Sequence, residues 1–225
     1  MKEVPIDFFI FAGIAVLAIF LIAVGVRGSS KIAERLLQVA RSFGWENPRR
    51  FWWSGNVRGR WRGFVVELSH MNRYKGIPER LLLRIRGDAP PSRVVIKRRI
   101  KGFLAKPITM FGPPLVEPMS FAEREQYWIR ADQMMQAEAV LGKKDVVAAL
   151  DTNLVAQFDV VTIDKKGVRI LRALDEAAVK AKYHRPSIQW RRDPEFIEQI
   201  AREVWPLGSA IAEAMGMRPS SYTRS

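Results

Sequence analysis

From Phe8 to Val26 the chain runs nineteen residues without a charge, thirteen of them Phe, Ile, Leu or Val and the other six Ala or Gly. As a helix rising about 1.5 Å per residue, such a run is about 28 Å long, close to the ~30 Å hydrocarbon core of a bilayer. At about −0.3 to −0.6 kcal/mol for each strong apolar residue, the thirteen together contribute several kcal/mol toward spanning. No polar face interrupts the run, as an amphipathic core helix would require. The expectation is therefore an uncleaved transmembrane helix over 8–26. A cleaved signal peptide is the alternative, because Ala23-Val24-Gly25 has small residues at cleavage-like spacing. A nearly neutral leading segment and a long apolar core speak against it.

The flanks set the expected orientation. Lys2 precedes the run with Glu3 and Asp7 against it, whereas Arg27, Lys31, Arg35 and Arg41 follow it closely. The positive-inside rule then puts a short tail (1–7) outside and the rest in the cytoplasm, anchored in a cell inner membrane. Cysteine is absent, which excludes a disulfide framework and any thiolate metal site. About 200 residues after the span suffice for one real core.

The net charge of +14 is confined to one stretch. Residues 27–106 hold twenty Lys/Arg against five Asp/Glu, while 107–225 hold sixteen of each. Gly28-Ser29-Ser30 is the expected hinge. Lys31 to Phe43 reads as a helix with Ile32, Leu36, Val39, Ala40 and Phe43 on one face, Ser30 as N-cap and Gly44 ending it. The segment 27–44 would thus hold a basic domain near an anionic leaflet, which attracts each nearby Lys or Arg by about 1 kcal/mol. The plainer reading is that these charges are solvated strand faces that keep the protein soluble.

The expected fold class is α+β: an N-terminal transmembrane helix, an antiparallel β-meander domain (45–192) with short helices, and a C-terminal amphipathic helix (193–216) before a disordered tail (217–225). Alternation suggests strands at 51–57, 60–70, 80–86 and 94–99 as a four-stranded meander. The first two would form a hairpin turning at Arg58-Gly59, with Trp53 facing Phe64 and Phe51 facing Val66. A Pro-rich loop covers 102–120. A strand at 126–131 is favoured over a helix opened by the capping-box pattern Ser120 to Glu123. Short helices at 133–141 and 143–156 break at Gly142. A hairpin, Asp159 to Ile163 and Val168 to Leu174, surrounds Asp164-Lys165-Lys166-Gly167. The last helix starts at Asp193-Pro194, carries the stripe Phe196, Ile200, Val204, Leu207, Ile211 and Met215, kinks at Pro206 and ends at Gly216.

The residues Ala40 to Trp45, Val57 to Arg60, Tyr127 to Asp132, Ala137 to Leu141 and the hairpin at 159–174 follow one another in an order that resembles a loose set of bacterial single-pass membrane-anchored proteins of uncharacterised function. The likeness covers about 40–174. It implies an α+β domain beside a membrane and brings no catalytic residue with it.

Motifs of catalysis are thin. No Gly-x-Ser-x-Gly elbow, His-Glu-x-x-His helix or EF-hand loop occurs, and Gly142-Lys143-Lys144-Asp145 lacks the earlier glycine and the Ser/Thr of a phosphate loop. His70 and His184 stand isolated. No cofactor, metal site or catalytic residue is assigned, and an enzyme is not the expectation. The densest mixture of aromatics and cations lies at 45–64, with a basic run at 97–101. Arg49, Arg50, Trp52, Arg58, Arg60, Trp61, Arg62, Lys97, Arg98, Arg99 and Lys101 are the candidate contacts to anionic lipid headgroups or a partner subunit. The plainer reading makes Phe51, Trp53 and Phe64 core and the arginines solvated. A third reading stacks bases of a single-stranded nucleic acid on Trp52 or Trp61, which a membrane anchor disfavours.

These features together lead to the expectation of a membrane-anchored binding or assembly protein, an accessory subunit of a membrane complex. The alternatives are a tethered enzyme or nucleotide-binding regulator with a dispersed site, and a tethered nucleic-acid binder.

Overall fold

Glycines and alternation set the boundaries of most elements in the computed structural model, which describes residues 14–17, 30–50, 55–71, 79–89, 93–98, 127–154, 159–173 and 194–219. Helix α1 (residues 30–42) buries Ile32, Ala33, Leu36, Val39 and Ala40. It closes at Gly44, whose φ of +72° suits a residue without Cβ. There the Gly44 N–H donates to the Arg41 carbonyl and the Trp45 N–H to the Ala40 carbonyl, satisfying the last turn. Ser30 does not serve as the N-cap: it is already helical, and its Oγ accepts from Arg50 Nη1 at 3.0 Å.

Among the described residues eight strands form one antiparallel sheet: β1 (Glu46–Arg50), β2 (Asn56–Trp61), β3 (Phe64–Met71), β4 (Arg80–Arg86), β5 (Val94–Arg98), β6 (Tyr127–Ala131), β7 (Val160–Asp164) and β8 (Gly167–Ala173). Their order is β1-β2-β3-β4-β8-β7-β5-β6. Two expectations are corrected here. The first hairpin turns at Arg62-Gly63, where φ is +48° and +81°, and pairs Trp61 with Phe64 and Val57 with Leu68. The dipeptide Arg-Gly occurs twice, and Arg58-Gly59 lies inside β2. Gly59 lets β1 pass close, since a Cβ there would come within 3.2 Å of the Glu46 carbonyl oxygen and Pro48 Cα. Strand β1 itself went unread because Asn47 and Pro48 look like turn residues; Asn47 takes a φ of +46° at a register shift between Glu46 and Arg49. Phe51, Trp53 and the pairings expected of them lie outside the described residues.

The meander is also shorter at its far end than expected. It runs β1 to β4, and the β7–β8 hairpin then separates β4 from β5, so β5 pairs with β7 and β6. Alternation in Val94-Val95-Ile96 assigns faces but not neighbours. The 160–173 hairpin, closed by its own two-residue turn, offers an edge to each.

The described helices gather on one face. Helix α4 (Pro194–Ala214) seats Gly208 against Leu83, Ile85 and Ile170. Helices α2 (Met134–Leu141) and α3 (Lys144–Asn153) lie either side of Gly142 as expected, though α3 stops at 153. The strand rather than helix at Tyr127 to Ala131 also agrees, and the Tyr127 hydroxyl donates to Asp151 of α3. Arg172 points to this side from β8 and is nearly buried. Its Nη1 donates to the Thr152 and Asn153 carbonyls at the end of α3 (2.7 and 2.5 Å) and its Nη2 meets Glu203 at 3.2 Å. Helices α1 and α4 meet through Arg35–Glu198 (3.5 Å) and through Trp205, whose ring lies 5.3 Å from Phe43, 5.2 Å from Trp45 and 5.1 Å from Trp61.

Helix α4 passes through Pro206 to Ala214 and is closed by Gly216 (φ +57°), with the Met217 N–H donating to the Ala212 carbonyl. The expected disordered tail is corrected at its start. Met217 is buried, Arg218 and Asp88 exchange backbone hydrogen bonds of 2.8 and 3.1 Å, and Pro219 packs within 3.2 Å of a Cβ placed on Gly63. Of the apolar run 8–26, residues 14–17 are described, as exposed helix; the rest of the expected span lies outside the described residues. Among the described residues no helix is long and apolar enough to cross a membrane.

Candidate functional site

Among the described residues the four helices lie on one face of the sheet, and the side chains that alternate away from them form a second surface. One register row crosses it from edge to edge. Arg49 pairs with Arg58, Arg58 with Glu67, Glu67 with Arg84, Arg84 with Arg169, Arg169 with Thr162, Thr162 with Val95 and Val95 with Arg130. Residues directly opposite in an antiparallel pair project to the same side. Five arginines and one glutamate therefore stand in a line seven interstrand spacings, or about 34 Å, long. The next row adds Arg60, Val65, Arg86, Gly167 and Asp164.

Glu67 is the acid at the middle of this surface. Its Oε2 lies 3.3 Å from Arg86 and 3.7 Å from Arg84, while its Oε1 accepts from Ser69. Neither Arg58 nor Arg169 has a carboxylate within ion-pair distance among the described residues, and both are exposed. The face is not uniformly polar: Val65, Leu82 and Ala173 are buried on it.

A cleft of about 270 Å³ opens where this surface meets the β7–β8 turn. Arg84, Ile85, Arg86, Asp164, Lys166, Gly167, Val168 and Arg169 line it. Gly167 makes the close fit possible, since with φ at +120° any Cβ would come within 2.1 Å of the Ile85 carbonyl oxygen. The Gly87 N–H donates to the Lys166 carbonyl and ties the turn to the end of β4.

The residues singled out from sequence are divided by the fold. Arg49, Arg58 and Arg60 lie on the basic face; Lys97 joins them from β5, half-buried. Arg50 bonds Ser30. Trp61 does not belong with them: it points to the helix side, edge-on to Trp205 and beside Phe64. Arg62 sits over the Trp61 ring at 4.9 Å and pairs with Glu213 at 2.5 Å. Arg98 is in β5, and Trp52, Arg99 and Lys101 lie outside the described residues. Sequence reasoning missed Arg84, Arg86, Arg130 and Arg169 as site residues. The signal for the first two was present, in the outward positions of Arg80 to Arg86. Nothing local joins Arg169 to them.

His70 has a carboxylate neighbour, Glu79, at 3.5 Å in a nearly buried position, but the pair does not line the cleft. Among the described residues, no three His, Asp or Glu side chains converge as metal ligands.

No family model matches this chain, and no curated protein does. Among solved structures, it is similar to the crystal structure of the mycobacterial trehalose monomycolate transport factor A, TtfA, at 13% identity and a TM-score of 0.37, over 78% of this chain and 96% of that one.

Proposed function

We propose that this chain is a single-pass membrane protein whose α+β domain works on the cytoplasmic side by binding, as an accessory or assembly subunit held against anionic headgroups and other membrane subunits. The observation that carries the reading is the uncharged run Phe8 to Val26, which stands within four residues of a helical segment of the folded domain. Thirteen residues of α1 reach about 20 Å, so the domain stays close to whatever surface holds residue 26. The row of arginines on the side away from the described helices supports the choice of face. An extended basic surface suits a charged plane better than a point ligand.

The test is extraction of the full-length protein from membranes. Resistance to alkaline carbonate, with the bulk of the chain protected from protease added to intact cells, is the expected result. A freely soluble full-length product, or digestion from outside, would overturn the reading.

The nucleic-acid alternative has less support. Of the two tryptophans it could use, Trp61 is engaged by Trp205 and Arg62.

A further inference from the structure

The cleft between β4 and the β7–β8 turn holds more positive charge than the fold requires. Arg84 and Arg169 are directly opposite in the β4–β8 pair, Arg86 is two residues along the same face, and Lys166 enters from the turn. Like charges directly opposite destabilise a strand pair by a few tenths to about 1 kcal/mol. Threonine or glutamine at either position would keep the sheet without that cost.

The nearby acids leave much of this charge unmet. Asp164 Oδ1 accepts the Lys166 backbone N–H at 2.8 Å, which folds its carboxylate into the turn. Glu67 gives one oxygen to Ser69 and shares the other between Arg86 (3.3 Å) and Arg84 (3.7 Å), so a single carboxylate meets two guanidiniums. Arg169 has no acidic partner among the described residues. The walls are nonetheless fixed. Gly167 is packed under the Ile85 carbonyl, and Lys166 is tied through its own carbonyl to Gly87.

Three arginines and a lysine lining a volume of about 270 Å³ match an anion with several acceptor oxygens and more than one negative charge. A carboxylate offers two oxygens in one plane and is satisfied by a single fork. A phosphate offers three or four in a tetrahedron. We infer that the cleft lined by Arg84, Arg86, Lys166 and Arg169 is a phosphate-binding subsite, taking the phosphomonoester group of a lipid headgroup or a soluble phosphate. It lies on the same face as the membrane reading but does not need it, and the experiment separates the two.

The probe is inorganic phosphate, titrated calorimetrically into the full-length chain in uncharged detergent. Saturable binding is expected, weakened about tenfold by R84Q/R169Q and less than twofold by R58Q, which neutralises an arginine two strands away. R169K, which keeps the charge but loses the fork, should fall between. Circular dichroism checks that each variant is folded. A second arm repeats the titration in phosphatidylcholine nanodiscs with and without phosphatidic acid. Loss of phosphate binding when phosphatidic acid is present assigns the site to a lipid headgroup; unchanged binding assigns it to a soluble phosphate. Absence of binding at millimolar phosphate, or equal binding by wild type and folded R84Q/R169Q, overturns the inference. Attachment to anionic vesicles that survives R84Q/R169Q would leave the membrane reading intact and remove the cleft from it.

Discussion

Arg84 and Arg169 face each other across the β4–β8 pair, on the side of the sheet away from the described helices. Their repulsion makes the first prediction one of stability. In low salt without phosphate, R169Q should stabilise the domain by about 0.2–1 kcal/mol. For a chain of this size that is a rise of up to about 4 °C in Tm. Thermal unfolding followed by circular dichroism checks it. A lower Tm would mean that Arg169 has a stabilising partner and would weaken the case for an anion site.

Gly167 should tolerate no side chain. Its φ of +120° and the 2.1 Å approach of a Cβ to the Ile85 carbonyl oxygen put any side chain against the backbone. G167A is expected to cost at least about 2 kcal/mol in urea unfolding. Gly44, also at positive φ but with nothing within 4 Å of a Cβ, should cost less on the same change. Equal losses at both positions would contradict the close packing of the β7–β8 turn under β4.

Trp205 joins α4 to α1 and β2 through its contacts with Phe43, Trp45 and Trp61. W205A should cost about 3–5 kcal/mol. W61A removes a half-buried ring from the same cluster. It should lower stability while leaving vesicle attachment of the folded protein unchanged, because Trp61 faces the helix layer. Loss of attachment at unchanged stability would return Trp61 to the membrane side.

Arg172 satisfies the last carbonyls of α3 and pairs with Glu203. Replacing it by Ala leaves those acceptors unmatched in a nearly dry position, at about 2–4 kcal/mol. Hydrogen exchange should show the loss concentrated at the end of α3. A cost under about 0.5 kcal/mol would contradict the bonding described.

Local signals carried much of the fold. Gly142 between two helices, the Asp164 to Gly167 turn, the strand at Tyr127 to Ala131 and the end of α4 at Gly216 each rest on a few neighbouring residues, and each agrees with the structure. Choices between equivalent local signals failed. Arg58-Gly59 and Arg62-Gly63 are the same dipeptide, and only the approach of β1 over Gly59 tells strand from turn. The insertion of β7 and β8 between β4 and β5 is a long-range pairing that alternation does not encode. The candidate site was legible to the same extent. Arg58 and Arg60 were found because they cluster in sequence. Arg169 was missed because it reaches Arg84 through a pairing between segments far apart in the chain. Trp61 and Arg62 were grouped with Arg60 by adjacency, although the strand's alternation and the turn send them elsewhere.

The central claim is that the basic sheet face, held by the apolar run, lies against an anionic bilayer. Arginine-specific chemical modification of the full-length protein in nanodiscs, read by mass spectrometry, tests it directly. In phosphatidylserine-containing discs at low salt, Arg58, Arg60, Arg86 and Arg169 should be protected relative to phosphatidylcholine discs, and the protection should fade near 1 M salt, where the Debye length is about 3 Å. Arg35 and Arg202, at the α1–α4 junction, should react equally in both. Equal modification of the sheet arginines in the two lipids, or protection confined to the helix side, would contradict the account.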